Sequence, residues 1–387
     1  MADTYDVAIV GLGAMGSAAA YQLARRGQRV LGVDRHAPPH AHGSSHGRTR
    51  MIREAYYEHP LYVPLVQRAY ALWSALEKAA GGRRFFLRTG GLMVGHEAGT
   101  LVGGALRSAA LHRLPHELLQ PGKLRRNYPA FAPLDDMVGV FEPRAGILLP
   151  EAILKAQLDL AEHHGATLRR NTVVHGWAPS ADGVVLRIGD DTVLAKQVVV
   201  AAGGWTGPLL PELALPLVVE RQVIHWFEPA RNPEVFTAQR MPVSLWQLEH
   251  GAMFYTKPDL GDGVKVGVHH DGATVTAETV DRRVSEAEDA HIVDLLRRFV
   301  PFAKGTLRER AVCTYTNTPD AHFIIDRHPD VPQVLLLSPC SGHGFKFASV
   351  IGEIAADLVV NGACGFDVSP FALARFGRSD TASQAQP

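Results

Sequence analysis

Residues 5–35 alternate between two hydrophobic periods. Asp6-Val7-Ala8-Ile9-Val10 is a short, nearly continuous apolar run, the pattern of a strand buried on both faces. A glycine-bearing turn follows it. The Ala-rich stretch Ala14 to Arg26, stopped by Gly27, predicts a helix. Arg29 to Val33 predicts a second strand that ends at Asp34. From His36 to about Arg53 the periodicity lapses into a loop rich in His, Gly, Ser and Arg. A loop of that length in a compact domain is usually functional or disordered.

Farther along, Leu61 to Ala80 predicts an amphipathic helix ended by Gly81-Gly82, and Leu87–Val94 a strand containing Gly90-Gly91. Glu151 to His164 predicts a helix, with Pro150 before it and Gly165 after it. Ala166 to Ala202 reads as a meander of short strands, with turns at Asp182-Gly183 and Asp190-Asp191. Its last strand, Gln197–Ala202, is apolar enough for a buried parallel position and stops at Gly203-Gly204. Residues 217–275 are strand-rich and carry Trp226, Phe227, Trp246, Phe254 and Tyr255. Ser285 to Phe299 predicts a helix. Val334–Leu337, a turn through Gly344 and a helix to about Val360 repeat the logic of the opening segment. No short repeat or low-complexity linker interrupts this order.

The predicted fold class is α/β: a discontinuous Rossmann-like nucleotide-binding domain with an inserted α+β domain built on an antiparallel sheet. Residues 1–85, 145–213 and 320–375 are assigned to the first domain, and 86–144 and 214–319 to the second. Residues 376–387 read as a loose tail.

Composition narrows the class. A chain of 387 residues exceeds one core and suits two. Thirty-nine basic residues balance 39 acidic ones, which argues against bulk nucleic-acid binding. At 46% hydrophobic and 20% charged the chain is globular. No apolar run has the length of a membrane span, and the N-terminus lacks a signal-peptide pattern. The C-terminus does not match the usual peroxisomal tripeptide. Three cysteines, Cys313, Cys340 and Cys364, are too few for a disulfide framework. The expected setting is a reducing cytoplasm.

Gly11-x-Gly13-x-x-Gly16 lies directly between the first strand and the first helix, and Asp34 follows about 20 residues on, as a dinucleotide fingerprint requires. Gly11 makes the tight turn, Gly13 admits a pyrophosphate, and Gly16 lets helix and strand pack. The helix N-terminus favours the phosphates and Asp34 suits a ribose hydroxyl. The triplet alone does not separate NAD from FAD. A fingerprint that opens the chain, the small-residue turn after Val198–Ala202 and the Gly342-His343-Gly344 turn together fit a flavin arrangement.

The loop Ser44–Arg53 offers Arg48, Arg50 and Arg53. A guanidinium fork suits a carboxylate, yet charge alone is equally consistent with a solvated loop. Lys265 sits in an alternating strand and by itself reads as solvent-facing. Cys313 by itself reads as a buried structural thiol. The 19 histidines, His40, His42 and His46 among them, form no metal-ligand pattern. There is no phosphate loop ending in Gly-Lys-Ser/Thr.

Four segments carry a likeness: Gly11–Gly16 with Asp34, Pro38 to Arg53, Cys313 to Asp326, and Ser341 to Ala356. The third reads Cys313-Thr-Tyr315-Thr-Asn-Thr-Pro-Asp-Ala-His-Phe-Ile-Ile-Asp326, and the fourth opens Ser341-Gly-His-Gly-Phe-Lys346-Phe-Ala-Ser. Over nearly its whole length the chain resembles the monomeric sarcosine oxidase and N-methyltryptophan oxidase family, within the glycine/D-amino-acid oxidase group. The resemblance implies a monomeric two-domain flavoprotein. It would oxidise a secondary, N-methyl or cyclic amino acid to an imine and reduce O2 to H2O2.

The resemblance also implies roles. FAD would be held covalently through a thioether from Cys313, since a thiolate attacks the quinone-methide form of the flavin 8α-methyl group. Gly342 and Gly344 would close over the cofactor. Arg53 and Lys346 would bind the substrate carboxylate. His46 and Arg50 would lie against the flavin, and Lys265 would promote O2 reduction electrostatically. His269, Tyr255 and Tyr315 would line the substrate pocket. Cys340 and Cys364 read as ordinary thiols.

The chain departs from the family at the mouth of that site. Ser45-His46-Gly47-Arg48-Thr49-Arg50 stands for His-His-Gly-Asp-Thr-Arg, and Arg53-Glu54-Ala55-Tyr56-Tyr57 for Arg-His-Ala-Tyr-Gly. Phe254-Tyr255-Thr256-Lys257-Pro258 stands for Tyr-Tyr-Gly-Phe-Pro. These changes bear on substrate identity more than on reaction type. Two other readings keep the flavin: a dehydrogenase passing electrons to a carrier, and a non-catalytic flavin subunit.

Overall fold

A computed structural model describes residues 4–377. Five strands form the parallel part of the first sheet. In spatial order they are Val334–Ser338, Asp191–Val200, Thr4–Val10, Val30–Val33 and Thr167–Arg169. All residues of Val30–Val33 and Val334–Ser338 are buried, as their uninterrupted apolar sequence requires. The hairpin Val174–Ser180/Gly183–Ile188 pairs with the first half of Asp191–Val200, and Ile324–Arg327 pairs antiparallel with Val334–Ser338.

Helix Ala14–Ala24 packs against Pro150–His163 and Ala348–Asn361. Ten of its residues are buried, so small side chains at most positions allow close neighbours on several sides. At one crossing a Cβ on Gly352 would lie 2.6 Å from the Ala18 carbonyl carbon, so the two helix backbones nearly touch.

The second sheet has nine strands, contributed by segments 91–142 and 218–317. Its strands are antiparallel except Gly91–His96 against Val243–Gln247. Period-two alternation gives it two different faces. Trp246, Phe254, Val264 and Val266 join Leu295, Leu296 and Phe299 of helix Glu286–Phe299 in one core cluster. Leu245, Tyr255 and Lys257 alternate with them and line a cavity between the sheets. The helix starts at a Ser285/Glu288 capping box. A third, three-stranded sheet joins Arg50–Ile52, Gly146–Leu148 and Phe86–Arg88.

Three sequence expectations change. The strand expected at Leu87–Val94 is two strands, Phe86–Arg88 and Gly91–His96, in different sheets. Gly90, at φ 70°, turns the chain between them. The 36–53 segment is not all loop, since Arg50–Ile52 pairs as a strand. Helices Thr100–His112 and Pro121–Asn127 were not foreseen. Most of the tail expected at 376–387 lies outside the described residues. Among the described residues no helix is long and apolar enough to cross a membrane.

Candidate active site

The carboxyl ends of the parallel strands open onto one continuous cavity of about 500 Å³. It begins at Gly11, Gly13 and Asp34, passes Ala201–Trp205, and ends among Arg50, Arg53, Tyr255, Lys257, Tyr315 and Lys346. This is where an open α/β sheet places its ligand.

The fingerprint glycines are sterically required. A Cβ on Gly11, at φ 93°, would lie 2.5 Å from the Ala201 carbonyl oxygen, and one on Gly16 would lie 1.8 Å from the Gly11 carbonyl oxygen. Gly13 lines the cavity, whereas Gly16 serves packing only. Asp34 accepts backbone N–H bonds from Leu12 (2.7 Å) and His36 (2.8 Å). Burial opposes its charge, but these bonds and nearby His40 hold its carboxyl below the usual carboxylate range. Its carboxylate is thus pinned at the mouth of the turn with acceptor capacity remaining.

At the other end the loop delivers its cations unequally. Arg48 is exposed and pairs with Asp262 (3.0 Å) and Glu309, so it braces the surface. Arg50 lines the cavity and donates to the Thr49 and Ser44 carbonyls at 2.9 and 2.7 Å. Its guanidinium lies 3.8 Å from Cys313 Sγ. Arg53 is buried, donates from Nη2 to both oxygens of Glu58 (2.8 and 2.7 Å) and from Nη1 to the Ala55 carbonyl (3.1 Å), and stacks over the Tyr56 and Tyr57 rings. Burial disfavours its charge, but Glu58 more than compensates and raises its pKa.

Lys346 enters from the opposite side, on the turn that Gly342 and Gly344 shape. Gly342 has φ 74°, and a Cβ on Gly344 would lie 1.7 Å from the Pro339 carbonyl oxygen. The Lys346 ammonium donates to the His343 carbonyl (2.7 Å) and lies 3.2 Å from Tyr56 Oη. Burial, with Arg53 nearby, lowers its pKa to about 7. His343 contacts Tyr56 Oη at 2.7 Å through Nδ1, and burial lowers its pKa to about 4.

The second sheet forms the far wall. His269 Nδ1 lies 3.2 Å from Tyr315 Oη, and burial, then the neighbouring His270, keeps its imidazole neutral. Gly267 leaves room for Tyr255, since a Cβ there would fall 2.5 Å from the Tyr255 hydroxyl. Cys313 is buried and lines the cavity beside Ser44. Lys265 and His46 are one layer back. Lys265 donates to the Gly47 and Thr49 carbonyls at 2.6 and 3.1 Å, directly behind Arg50. His46 is buried with an unpartnered Nε2, and burial, then Arg50 and Lys265, push its pKa down to about 3.

Four features in or behind the cavity wall escaped sequence reasoning: Glu58, Tyr56, His343 and the inward aim of Lys257. The first two follow Arg53 in an irregular segment, where no periodicity marks an inward side chain. Lys257 was visible as a departure in an alternating strand, and its register with Tyr255 was the available signal.

The family model described as FAD dependent oxidoreductase matches residues 6–358. The chain belongs to this family. It is 40% identical over 375 residues to the monomeric sarcosine oxidase of Streptomyces avermitilis, covering 96% of this chain and 97% of that one. It is 38% identical over 376 residues to N-methyl-L-tryptophan oxidase of Escherichia coli, covering 96% and 99%. The solved structure of NikD, an unusual amino acid oxidase essential for nikkomycin biosynthesis, superposes with a TM-score of 0.83 at 25% identity, over 96% and 97% of the two chains. The fold is that of an FAD dependent oxidoreductase, and the cavity fits FAD. Its Gly11–Gly13 end offers a backbone cradle and the pinned carboxylate of Asp34. Its other end offers the buried cations Arg53 and Lys346 and the sulfur of Cys313.

Proposed function

We propose that this FAD dependent oxidoreductase oxidises the C–N bond of a secondary amino acid, N-methylated or cyclic, to an imine, with O2 reduced to H2O2. The observation that carries this reading is the meeting of Arg53 and Lys346, nearly 300 residues apart in sequence, in one cavity with Arg50 and Cys313. Bound FAD supplies a two-electron acceptor. The protein's own residues do the rest.

Arg53 and Lys346 hold the substrate carboxylate. Glu58 fixes the Arg53 fork, while Tyr56 and the His343 carbonyl aim the Lys346 ammonium. Several buried cations around the amine depress its pKa, which favours the neutral, reactive form without a dedicated base. Tyr255, Tyr315 and neutral His269 form the substrate wall and exclude water. Arg50 places positive charge where reduction of O2 develops negative charge, and Lys265, whose pKa burial and then Arg50 lower, adds to it when protonated. Two electrons and two protons leave the substrate and reach O2 as H2O2. Water then splits the imine, releasing formaldehyde when the substrate is N-methylated. Cys313 is the covalent tether, with Arg50 beside its sulfur. The enzyme acts as a monomer in the cytoplasm.

Peroxide release from sarcosine, N-methyltryptophan, pipecolate and proline tests the reaction. Failure of all four to bleach the flavin would sink it. Bleaching without peroxide would instead make the protein a dehydrogenase. Acid precipitation tests the tether: yellow colour that leaves with the supernatant rules out Cys313 attachment.

A further inference from the structure

Strand Met253–Lys257 sends Tyr255 and Lys257 to the same face, two residues apart. Lys257 stands directly across from Lys265 in the antiparallel pair, so both side chains share the cavity side of the sheet. Lys257 is 5% exposed, lines the cavity, and holds its ammonium 4.3 Å from the Tyr255 ring centroid. The groups that act on it are Lys265, to which its side chain also hydrogen-bonds, Arg50 and Lys346, all basic. Among the described residues no carboxylate forms an ion pair with it.

The carboxylates that line the cavity are otherwise engaged. Asp34 serves the fingerprint turn. Glu278 takes Arg35 and the Trp205 indole N–H. Glu58 accepts from Arg53 Nη2 with both of its oxygens. Lys265, by contrast, has two carbonyl acceptors of its own. Lys257 is therefore a buried lysine without a counterion, in the same cavity as Arg53 and Lys346. Burying an amine in that state is costly, and its pKa is lowered by burial and by the neighbouring cations. An incoming anion removes both penalties at once.

We propose that Lys257 binds a second anionic group of the substrate, so that the preferred substrates are secondary amino acids with an acidic side chain. This rests on the amine-oxidation reading above, in which Arg53 and Lys346 take the α-carboxylate. Lys257 then reads the other end of a dicarboxylate, and the Tyr255 face orients its ammonium. The position is a specificity determinant rather than part of the electron transfer.

The test compares N-methylglutamate with N-methylglutamine, which differ only in side-chain charge. In the wild-type holoenzyme the ratio of their kcat/KM values favours the acid by about 10- to 100-fold, the range of a charge-assisted hydrogen bond. In Lys257→Met that ratio collapses towards one, chiefly through KM, while Lys257→Arg retains a preference for the acid. A wild-type ratio near one overturns the proposal, as does a ratio that K257M leaves unchanged. A K257M variant that slows flavin reoxidation by O2 equally with every substrate also overturns it.

Calorimetric binding of glutarate against butyrate gives a second readout that needs no turnover. Glutarate binds at least about tenfold more tightly to the wild type, and K257M abolishes the difference. If no amine reduces the flavin yet this discrimination holds, the Lys257 site stands and the amine-oxidation reading falls. Removing an uncompensated buried ammonium also leaves the unfolding temperature of K257M no lower than wild type, so loss of fold does not confuse the result.

Discussion

Lys346 is the residue whose protonation the cavity controls most directly. Burial and Arg53 lower its pKa from the usual 10.5 to about 7. The sign follows: the cation is present below about pH 7 and is lost above it, so anion binding weakens as pH rises. A simple carboxylate such as propionate, which carries no amine to confuse the titration, should bind progressively more weakly from pH 7 to pH 9. Lys346→Met should bind it weakly at every pH, with a flat profile. A wild-type affinity that does not change with pH would remove Lys346 from the carboxylate site.

Gly344 makes a second prediction at this scale. A Cβ there meets the Pro339 carbonyl, so Gly344→Ala must displace the turn that presents Lys346. An overpacked site of this kind costs about 1–3 kcal/mol. The expected signs are a lower unfolding temperature and a raised KM. The glycines were legible because sterics restrict residue type at those positions, whereas Arg53 and Lys346 were singled out only by the family resemblance. Glu58 was not, because a carboxylate five residues past an arginine carries no pattern until the irregular backbone folds it back.

The elements that position these residues were read best where the hydrophobic period was long. Strands Thr4–Val10, Val30–Val33 and Val334–Ser338 and the flanking helices Ala14–Ala24 and Ala348–Asn361 appeared within a few residues of their expected limits, whereas the strand expected at Gln197–Ala202 begins at Asp191. The error at Leu87–Val94 has a clear cause, because composition shows an apolar run but not a change of φ at Gly90. Helix Thr100–His112 was hidden by its glycines, and the packing of Leu101, Val102, Ala105 and Ala109 overrides that weak propensity. Where Gly352 crosses Ala18, no side chain fits between the helices. Gly352→Leu should therefore lower the unfolding temperature by several degrees and weaken FAD retention, since Ala14–Ala24 also presents the fingerprint turn. Thermal unfolding with flavin release followed in parallel checks both. An unchanged melting curve would mean that the crossing is loose.

On the scale of the molecule, the cavity belongs to neither sheet. Segment 36–53 bridges them, and two of its ties hold opposite ends. Arg282 donates to the Ala41 and His42 carbonyls (2.7 and 2.8 Å) and to the Val312 carbonyl (3.0 Å), anchoring the Asp34 end to the second sheet. Glu151, in the first turn of helix Pro150–His163, accepts the Gly47 and Arg48 backbone N–H groups at 2.7 and 2.9 Å, anchoring the end that carries Arg50 and Arg53. Neither tie was visible in sequence, since each joins residues more than a hundred positions apart. The two ends should fail separately. Arg282→Ala loosens the His36–His42 side, so limited proteolysis should nick the chain there sooner, with a small change in KM. Glu151→Ala leaves the Gly47 and Arg48 N–H groups without their carboxylate and frees the arginine-bearing half, so KM should rise about tenfold, the cost of one lost charge-assisted hydrogen bond. Mapping the cleavage sites beside the two KM values separates the cases. Identical behaviour of the two variants would mean that 36–53 moves as one unit, and that the cofactor and substrate ends of the cavity are not held independently.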